Sequence, residues 1–495
     1  MGAGHLLTEG RNCIGGEWSI SRSELFTEVT NPATGEVIAR TADSGPSGVE
    51  AAVKAASAAL PAWRKTPVGG RIQCLFRLKQ LLESHFDELA RIVTTENGKT
   101  LAEARGELRR GVENVEVACG TPLLMQGYML EDIAPGIDEL MVRQPLGVVA
   151  VITPFNFPAM IPLWFLPYAI ASGNTVLVKP SEKVPLTLQR IVELIHEAGV
   201  PPGVVNLVHG TKPTVDAILD HAAIRAVSFV GSTAVARYVY ARAAASGKRA
   251  QCQGGAKNYA VVLPDADMDG ASQIVADGAF GCAGQRCLAV SVVVTVGEAR
   301  KSFQKTIGDI TGRLRVGSGL DPGVQMGPVI TAASKERIER LIAGSVSDGA
   351  RLIVDGRGAR IPSCEGGNFI RPTLLDGLPP TSQLIDTEIF GPVLTMVHAA
   401  DLDDAIALVS NSRYGNQASL FTTSGAAARK FRNEVPAGNV GINIGVAAPI
   451  AYFPFSGWKD SFFGSLHAQG RDAIEFYTDK KVCVERWPKD WSRKF

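Results

Sequence analysis

Cys287 lies in a stretch of the 495-residue chain that is well suited to covalent chemistry. Residues 278–287 (GAFGCAGQRC) are mostly glycine and small residues, which let the backbone bend and let a ligand come close. Arg286 stands directly beside Cys287, and a neighbouring cation favours the thiolate, the form of cysteine that attacks electrophiles. A buried structural cysteine is the alternative, because most free cysteines are buried. The local sequence therefore predicts a candidate nucleophile and leaves both interpretations open.

Two further loops have the composition of nucleotide-binding loops. Lys179 and Glu182 follow the apolar run TVLV, and together they suit the hydroxyls of a ribose, although a solvated loop is the alternative. Gly231 and Ser232 lie between the run AVSFV and a predicted helix, where free N–H groups could bind a phosphate. Ser232 could equally be an ordinary helix N-cap, and no GxGxxG fingerprint is present in the chain.

Asn156 is the candidate partner of the nucleophile. It lies in Thr153-Pro154-Phe155-Asn156-Phe157-Pro158, directly after the apolar run LGVVAVI. An amide N–H beyond the end of a strand can donate to a developing oxyanion. Asparagine is also common in turns next to proline, so a structural role remains possible at this point.

Composition excludes several classes of function. The net charge is +1 and no block of like charges stands out, so we expect neither nucleic acid nor a membrane surface as a partner. The eight cysteines are scattered without a CxxC pair, and the seven histidines are dispersed, which predicts reduced thiols and no metal site.

No targeting segment is visible, so a cytoplasmic protein is expected. Residues 144–178 lack charge, but five prolines indicate soluble core and not a membrane span.

From residue 146 onward, apolar strands alternate with amphipathic helices, and this pattern predicts an α/β fold with parallel sheet covered by helices. A second α/β set follows Cys287. Residues 125–144 and 480–486 have the character of extended segments outside these units.

The chain resembles the aldehyde dehydrogenases over nearly its full length. Five pieces occur in that family's order: TPFNFP, LVKPSE, FVGST, GQRC and EIFGPV. The resemblance implies a Rossmann-type NAD-binding domain (residues 1–124 and 146–254) and an α/β catalytic domain (255–455). It also implies a small β oligomerisation flap with the C-terminal tail (125–145 and 456–495), and a homotetramer.

Residue by residue, the resemblance implies Cys287 as nucleophile and Asn156 as oxyanion donor. It further implies a set of NAD-binding positions, and an acidic Glu182 favours NAD over NADP because a 2′-phosphate would meet a carboxylate. The predicted cofactor-binding residues are Thr153, Phe155, Lys179, Glu182, Gly231, Ser232, Glu388 and Phe390.

One position departs from most of that family. Gln253, in the stretch QCQGGAKN, stands where a glutamate usually activates water, and an amide lacks the basicity for this task. This substitution resembles the CoA-acylating methylmalonate-semialdehyde dehydrogenase branch, as do PFNFPAMIPLW and GVAAPIAYFPFSGWKDSFFG. The resemblance implies coenzyme A as acyl acceptor and a malonate- or methylmalonate-semialdehyde substrate. It implies Arg110 and Arg286 as carboxylate ligands, with Arg109 as the spare.

Two alternatives remain from the sequence. A hydrolysing aldehyde dehydrogenase could use another base, such as Glu388 through a water, and a catalytically silent NAD-binding oligomer could keep the fold.

Two further positions depart from the CoA-acylating branch. Tyr259 and Ala234 stand where that branch is expected to have His and Pro, and both are predicted to lie near the cofactor cleft.

Overall fold

The computed structural model describes residues 8–379 and 382–487. Residues 1–7 of the predicted NAD-binding domain and residues 488–495 of the predicted C-terminal tail lie outside the described residues. The strands are β1 (Thr8–Gly10), β2 (Asn12–Ile14), β3 (Glu17–Ser19), β4 (Phe26–Thr30), β5 (Val37–Ala42), β6 (Tyr128–Ala134), β7 (Ile137–Pro145), β8 (Val148–Ile152), β9 (Thr175–Lys179), β10 (Val205–Leu207), β11 (Ile224–Val230), β12 (Arg249–Gln253), β13 (Asn258–Val262), β14 (Val290–Val296), β15 (Arg351–Val354), β16 (Thr373–Asp376), β17 (Val393–Ala399), β18 (Tyr414–Gly415), β19 (Gln417–Phe421), β20 (Asn439–Ile442), β21 (Trp458–Lys459), β22 (Phe462–Gly464) and β23 (Thr478–Arg486).

Helices occupy most of the chain between these strands. They are α1 (Gly45–Lys65), α2 (Val68–Ser84), α3 (Phe86–Asn97), α4 (Leu101–Cys119), α5 (Thr121–Leu124), α6 (Met160–Ala171), α7 (Pro185–Glu197), α8 (Lys212–Asp220), α9 (Thr233–Ala245), α10 (Met268–Phe280), α11 (Ala299–Arg313), α12 (Ala332–Ser347), α13 (Leu402–Ser410), α14 (Gly425–Glu434) and α15 (Gly470–Phe476), with 3-10 turns at Gly281–Gly284 and Gln383–Ile385.

The first sheet brings the predicted binding loops to one edge. Its order is β22-β12-β11-β8-β9-β10-β2-β3, and β8 to β12 run parallel. Ile152 pairs with Lys179 and Val230 pairs with Gln253, so these strands end at the same level. The loops after β8, β9, β11 and β12 therefore leave together from the carboxyl edge, where open parallel sheets bind ligands.

The second sheet carries the candidate nucleophile. Its order is β15-β16-β17-β14-β13-β19-β20, and every pairing except that of β15 is parallel. Cys287 lies three residues before β14, whose run VSVVVTV is mostly buried. The apolar run LAVSVVVTV, which directly follows Cys287, predicts a buried strand, and β14 confirms a loop-to-strand junction at Cys287.

A third, three-stranded antiparallel sheet has the order β23-β7-β6. β23 pairs with β7 over nine residues, from Thr478 opposite Pro145 to Arg486 opposite Ile137. The predicted architecture of two α/β units and a small β flap is confirmed. The domain boundaries remain a prediction; within residues 456–487, β22 joins the first sheet and β23 joins the flap.

The uncharged passage 144–178 forms β8, α6 and β9. All but the first residue of α6 are buried, and its prolines lie in its first turn and interior at Pro162 and Pro167. Among the described residues, no helix combines the length and apolarity needed to cross a membrane.

Candidate active site

The loop between α10 and β14 presents Cys287. After α10 the backbone takes left-handed conformations at Cys282 (φ 52°), Ala283 (φ 53°) and Gly284 (φ 70°). A Cβ at Gly284 would clash with the backbone of Gly391, so this turn requires glycine at that position. The loop is thereby folded tightly against the segment that carries Glu388.

Two asparagine side chains fix the backbone of Cys287. The Nδ2 groups of Asn258 and Asn416 both donate to the carbonyl oxygen of Cys287, at 2.9 and 2.7 Å. Because the nucleophile loop is held through its main chain, the thiol itself remains available for chemistry. Neither asparagine was singled out from the sequence as a functional residue, although Asn258 belongs to the QGGAKN stretch.

Asn156 lies beside this loop, as predicted for an oxyanion donor. Its side chain is buried, and Nδ2 donates to the carbonyl oxygen of Gln285 at 3.0 Å. An amide nitrogen carries two hydrogens, so one of them remains to donate to a ligand atom. Asn156 and Cys287 line the same cleft, which is the arrangement that oxyanion stabilisation requires.

The Cys287 thiol is a weak acid in its surroundings. Burial raises its pKa to about 12, and the nearby Glu388 carboxylate acts in the same direction. Backbone N–H groups and the Arg286 cation oppose this shift but do not overcome it. Arg286 thus acts in the predicted direction, but the local prediction of an activated thiolate is not met, because desolvation of the anion is the larger effect.

A large cleft runs along the carboxyl edge of the first sheet and reaches Cys287. Its volume is about 820 Å³, and it lies between the loops of the first sheet and the segment around Glu388. All eight predicted cofactor-binding residues line it: Thr153, Phe155, Lys179, Glu182, Gly231, Ser232, Glu388 and Phe390.

Lys179 and Glu182 form a pair in this cleft, with Nζ 3.4 Å from Oε2. Burial lowers the pKa of Lys179. Burial alone would raise the pKa of Glu182, but the Lys179 ammonium and hydrogen bonds outweigh it, so the pKa is lowered. Glu182 is therefore an anion that can accept hydrogen bonds from ribose hydroxyls.

The N-terminus of α9 opens into the cleft beside Ser232. Ser232 is the N-cap residue, but its side chain makes no capping hydrogen bond. The N–H groups of the first turn and the positive end of the helix dipole are thus available to an anion. This suits the pyrophosphate of a dinucleotide, so the residues present fit NAD.

Glu388 and Phe390 close the cleft near Cys287. Oε1 of Glu388 accepts a hydrogen bond from the Ala256 N–H at 3.0 Å, and burial raises the pKa of Glu388 to about 7. Phe390, at φ 53°, packs edge-on against Phe155 with ring centroids 5.8 Å apart. An acidic and an aromatic residue therefore flank the space next to the thiol.

A second, small pocket lies on the other side of Cys287. Its volume is about 60 Å³, and both predicted carboxylate ligands, Arg110 and Arg286, line it. Arg110 donates to the carboxylate of Glu113 at 3.0 Å and to the carbonyl of Ala448 at 3.0 Å. Arg109 points elsewhere: it pairs with Glu83 at 3.5 Å on the surface, so the structure separates the two neighbouring arginines.

Arg286 is anchored at the end of α10. Its Nη2 donates to the carbonyl oxygens of Asp277 and Gly278, while Nε is buried and has no hydrogen-bond partner among the described residues. A guanidinium has five N–H donors, so donors remain for a ligand. Both arginines border the small pocket beside Cys287, and their role as carboxylate ligands remains a prediction.

Gln253 ends β12, directly before Gly254, which lines the cleft. Its side chain is buried, and Nε2 donates to the carbonyl oxygen of Phe455 at 3.2 Å. Phe455 also lines the small pocket, so Gln253 borders the active site without offering a base.

Ala234 and Tyr259, which stand where the resemblance leads us to expect Pro and His, lie in different surroundings. Ala234 lines the cofactor cleft as predicted, whereas Tyr259 packs in the core of the second sheet. Within the described part of the chain, no cluster of three or more His, Cys, Asp or Glu side chains could hold a metal ion.

Comparison with known proteins agrees with this geometry. The model of the aldehyde dehydrogenase family matches residues 18–483. Malonate-semialdehyde dehydrogenase 3 of Geobacillus kaustophilus is 50% identical over 477 residues, covering 96% of this chain and 98% of that protein.

Two solved structures have nearly the same fold. A putative methylmalonate-semialdehyde dehydrogenase from Sinorhizobium meliloti, complexed with NAD, has a TM-score of 0.97 and 42% identity, covering 98% of this chain and 99% of the other. Methylmalonate-semialdehyde dehydrogenase from Oceanimonas doudoroffii has a TM-score of 0.96 and 45% identity, with the same coverage. The chain belongs to the aldehyde dehydrogenase family.

Proposed function

We propose that this enzyme oxidises malonate semialdehyde or methylmalonate semialdehyde with NAD and transfers the acyl group to coenzyme A. The observation that carries the proposal is the pairing of Gln253, at the position of the usual base, with two arginines beside Cys287. The names of relatives at 50% and 48% identity support this choice of substrate. The Sinorhizobium meliloti structure, complexed with NAD, supports the choice of cofactor.

The first half-reaction begins when the Cys287 thiol loses its proton to water in the cleft. The thiolate attacks the aldehyde carbon, and the oxyanion accepts hydrogen bonds from Asn156 Nδ2 and the Cys287 backbone N–H. Arg110 and Arg286 hold the substrate carboxylate in the small pocket. The residues of the large cleft would hold NAD as the hydride acceptor, and loss of the hydride would leave the acyl group on Cys287 as a thioester.

The second half-reaction removes the acyl group. The carboxylate is β to the thioester carbonyl, so loss of CO₂ leaves its electron pair as a thioester enolate, which the oxyanion donors stabilise and which then takes a proton at carbon. The thiol of coenzyme A attacks the thioester and displaces the Cys287 thiolate. The products are acetyl-CoA from malonate semialdehyde and propionyl-CoA from its methyl homologue.

A hydrolysing enzyme is the second candidate, and one observation favours it. Glu388 lies in the same cleft as Cys287, and its pKa of about 7 suits a general base at neutral pH. The catalytically silent oligomer remains the alternative of another class.

The test of function is NADH formation from malonate semialdehyde, with and without coenzyme A, with mass spectrometry of the product. Strong dependence on coenzyme A with acetyl-CoA as product supports the acylating reaction. Turnover to a free acid without coenzyme A would replace it with hydrolysis. Absence of NADH from folded, NAD-binding protein would point to the silent oligomer.

We further propose a homotetramer assembled through the flap sheet, within a cytoplasmic setting. The flap strands expose large apolar side chains, including Tyr128, Leu130, Val482 and Val484, and such patches mark association surfaces. The scattered, unpaired cysteines suit a reducing compartment.

A further inference from the structure

A buried ion pair lies directly behind the oxyanion donor. Lys99 and Glu107 have side chains that are 1% and 0% exposed, and Nζ lies 2.6 Å from Oε2. Lys99 immediately precedes the N-cap residue of α4, and Glu107 lies in the second turn of this helix. Neither residue lines the large cleft or the small pocket.

This pair binds the segment that carries Asn156 at both ends. Nζ of Lys99 donates to the backbone carbonyl of Asn156 at 2.6 Å. Oε1 of Glu107 accepts hydrogen bonds from the N–H groups of Ala159 and Met160, at 2.8 and 3.1 Å. The segment 156–160 therefore cannot move without breaking charge-assisted hydrogen bonds, which are stronger than neutral ones.

The same helix also holds the nucleophile loop. Glu103, one turn before Glu107, accepts a hydrogen bond from the backbone N–H of Cys282. Its other oxygen accepts from the Thr100 N–H and hydroxyl in a capping box, which fixes the carboxylate. Asn156 links the two held segments, because its side chain donates to the Gln285 carbonyl in the loop that carries Cys287.

A buried ion pair is weak support for stability, because the cost of desolvating two charges can exceed their attraction. Neutral side chains of similar size could fill this volume. They could not replace the ammonium that donates to the Asn156 carbonyl, and oxyanion stabilisation depends on donor placement within fractions of an ångström.

We infer that Lys99 and Glu107 are positioning residues that set the Asn156 amide against the Cys287 reaction centre. This inference does not depend on the proposed acyl acceptor, because it concerns the first half-reaction. Its failure is therefore separate from failure of the CoA-acylating proposal.

The test is a double-mutant cycle in NADH burst kinetics, without coenzyme A, at saturating NAD. The variant K99M/E107Q removes both charges together, so that no unpaired charge is left buried. We expect the burst rate to fall roughly 10- to 100-fold, the scale at which small misplacements of catalytic groups act. In an Asn156→Ala background the same change should cost less than about threefold, since the group that it positions is gone.

Glu96→Gln is the matched control. Glu96 is also a buried carboxylate that accepts two backbone N–H groups, from Leu186 and Thr187, but at the start of α7. It should leave the burst rate within about twofold, because its hydrogen bonds go to α7 and not to the segment 156–160. Equal losses in both Asn156 backgrounds, or an equal loss from Glu96→Gln, would overturn the inference.

Glu107→Asp covers the case in which the double variant does not fold. It keeps both charges, but its shorter side chain cannot reach Lys99 and the N–H groups of Ala159 and Met160 together. We expect a smaller fall in burst rate that again disappears in the Asn156→Ala background, and an unchanged burst rate would contradict the role of the pair.

Discussion

In the proposed mechanism, Gln253 decides whether water or coenzyme A removes the acyl group from Cys287. Its amide donates to the Phe455 carbonyl. We expect Gln253→Glu to create hydrolysis, because a carboxylate can deprotonate water whereas an amide cannot. CoA-independent NADH formation in the steady state should rise about tenfold or more, since general bases contribute roughly 10²–10⁴-fold.

Gln253→Met is the matched variant for this change. It also removes the bond to Phe455 but adds no base, so its CoA-independent rate should stay at the level of the wild type. A similar gain in both variants would mean that loosening of this segment, and not a new base, admits water to the thioester.

Arg110 and Arg109 form a natural pair for testing substrate recognition. Arg110 lines the small pocket, while Arg109 pairs with Glu83 on the surface. Arg110→Met should lower kcat/KM for malonate semialdehyde about 10- to 100-fold, the worth of hydrogen bonds to a charged group. The value for propanal, which lacks a carboxylate, should change less than about twofold, as should both values in Arg109→Met.

The Cys287 thiol gives a pH dependence with a definite sign. Its pKa of about 12 lies above the assay range, so the thiolate fraction grows with pH. In the unliganded enzyme, the rate of alkylation by iodoacetamide should therefore rise about tenfold per pH unit between pH 7 and 10. Glu388→Gln removes a carboxylate that raises this pKa, so alkylation at pH 8 should become faster.

The two alkylation profiles should converge below pH 7. The Glu388 carboxyl has a pKa of about 7, and below that pH it is protonated and no longer repels the thiolate. Parallel profiles from pH 6 to 10 would show that Glu388 does not act on Cys287 through its charge.

The residues found from sequence were those that belong to short contiguous motifs. Cys287, Asn156 and Lys179 each lie at or near the end of an apolar strand, and the family resemblance of their motifs decides between the alternatives that this position leaves open. Asn258 and Asn416 converge on one carbonyl from segments 158 residues apart along the chain, a contact that only the folded sheet creates. Lys99 and Glu107 were not singled out from the sequence, because burial of a charged pair has no local signal.

Among the elements, the alternation of apolar strands and amphipathic helices after residue 146 was predicted, and β9, α7, β11 and α9 confirm it. β12 was not predicted, because its sequence RAQCQ is largely polar. It is a strand through its pairing with β11 and β22, and its polar residues are satisfied by side-chain hydrogen bonds such as that between Gln251 and Ser228.

The nucleophile loop and the segment after Glu388 meet at a glycine contact. A Cβ on Gly284 would overlap the backbone of Gly391, and its φ of 70° is also unfavourable for alanine. Gly284→Ala should therefore push the two segments apart and reduce the burst rate of NADH formation about 100-fold, as misplaced reacting groups do.

Gly312→Ala is the matched control for this contact. Gly312 lies in α11, and a Cβ added to it would meet nothing within 4 Å apart from the neighbouring backbone of its own helix. It should keep full activity and gain about 0.5–1 kcal/mol in free energy of unfolding, because alanine favours helix over glycine. A fully active Gly284→Ala enzyme would contradict the tight apposition of the two segments.

At the level of the whole molecule, Cys287 lies between two openings of different size. A cleft of about 820 Å³ and a pocket of about 60 Å³ meet at the thiol. A dinucleotide can therefore approach the thiol from the cleft, while only a small ligand fits the pocket on the other side. The sequence predicts the residues on each side, but the volumes follow only from the packing of the two sheets against each other.

The flap sheet exposes apolar side chains that a second copy of the chain can cover. Val482 is 61% exposed on β23, a strand paired with β7 on one side only among the described residues. Unpaired strand edges and apolar patches favour association. Val482→Glu should therefore convert the proposed tetramer of the 52.4 kDa chain into smaller species in light scattering, with folded protein by circular dichroism. Leu25→Glu, at a leucine outside the flap that is 70% exposed, should leave the mass of the wild type unchanged. An unchanged mass for Val482→Glu would place the subunit contacts elsewhere on the surface.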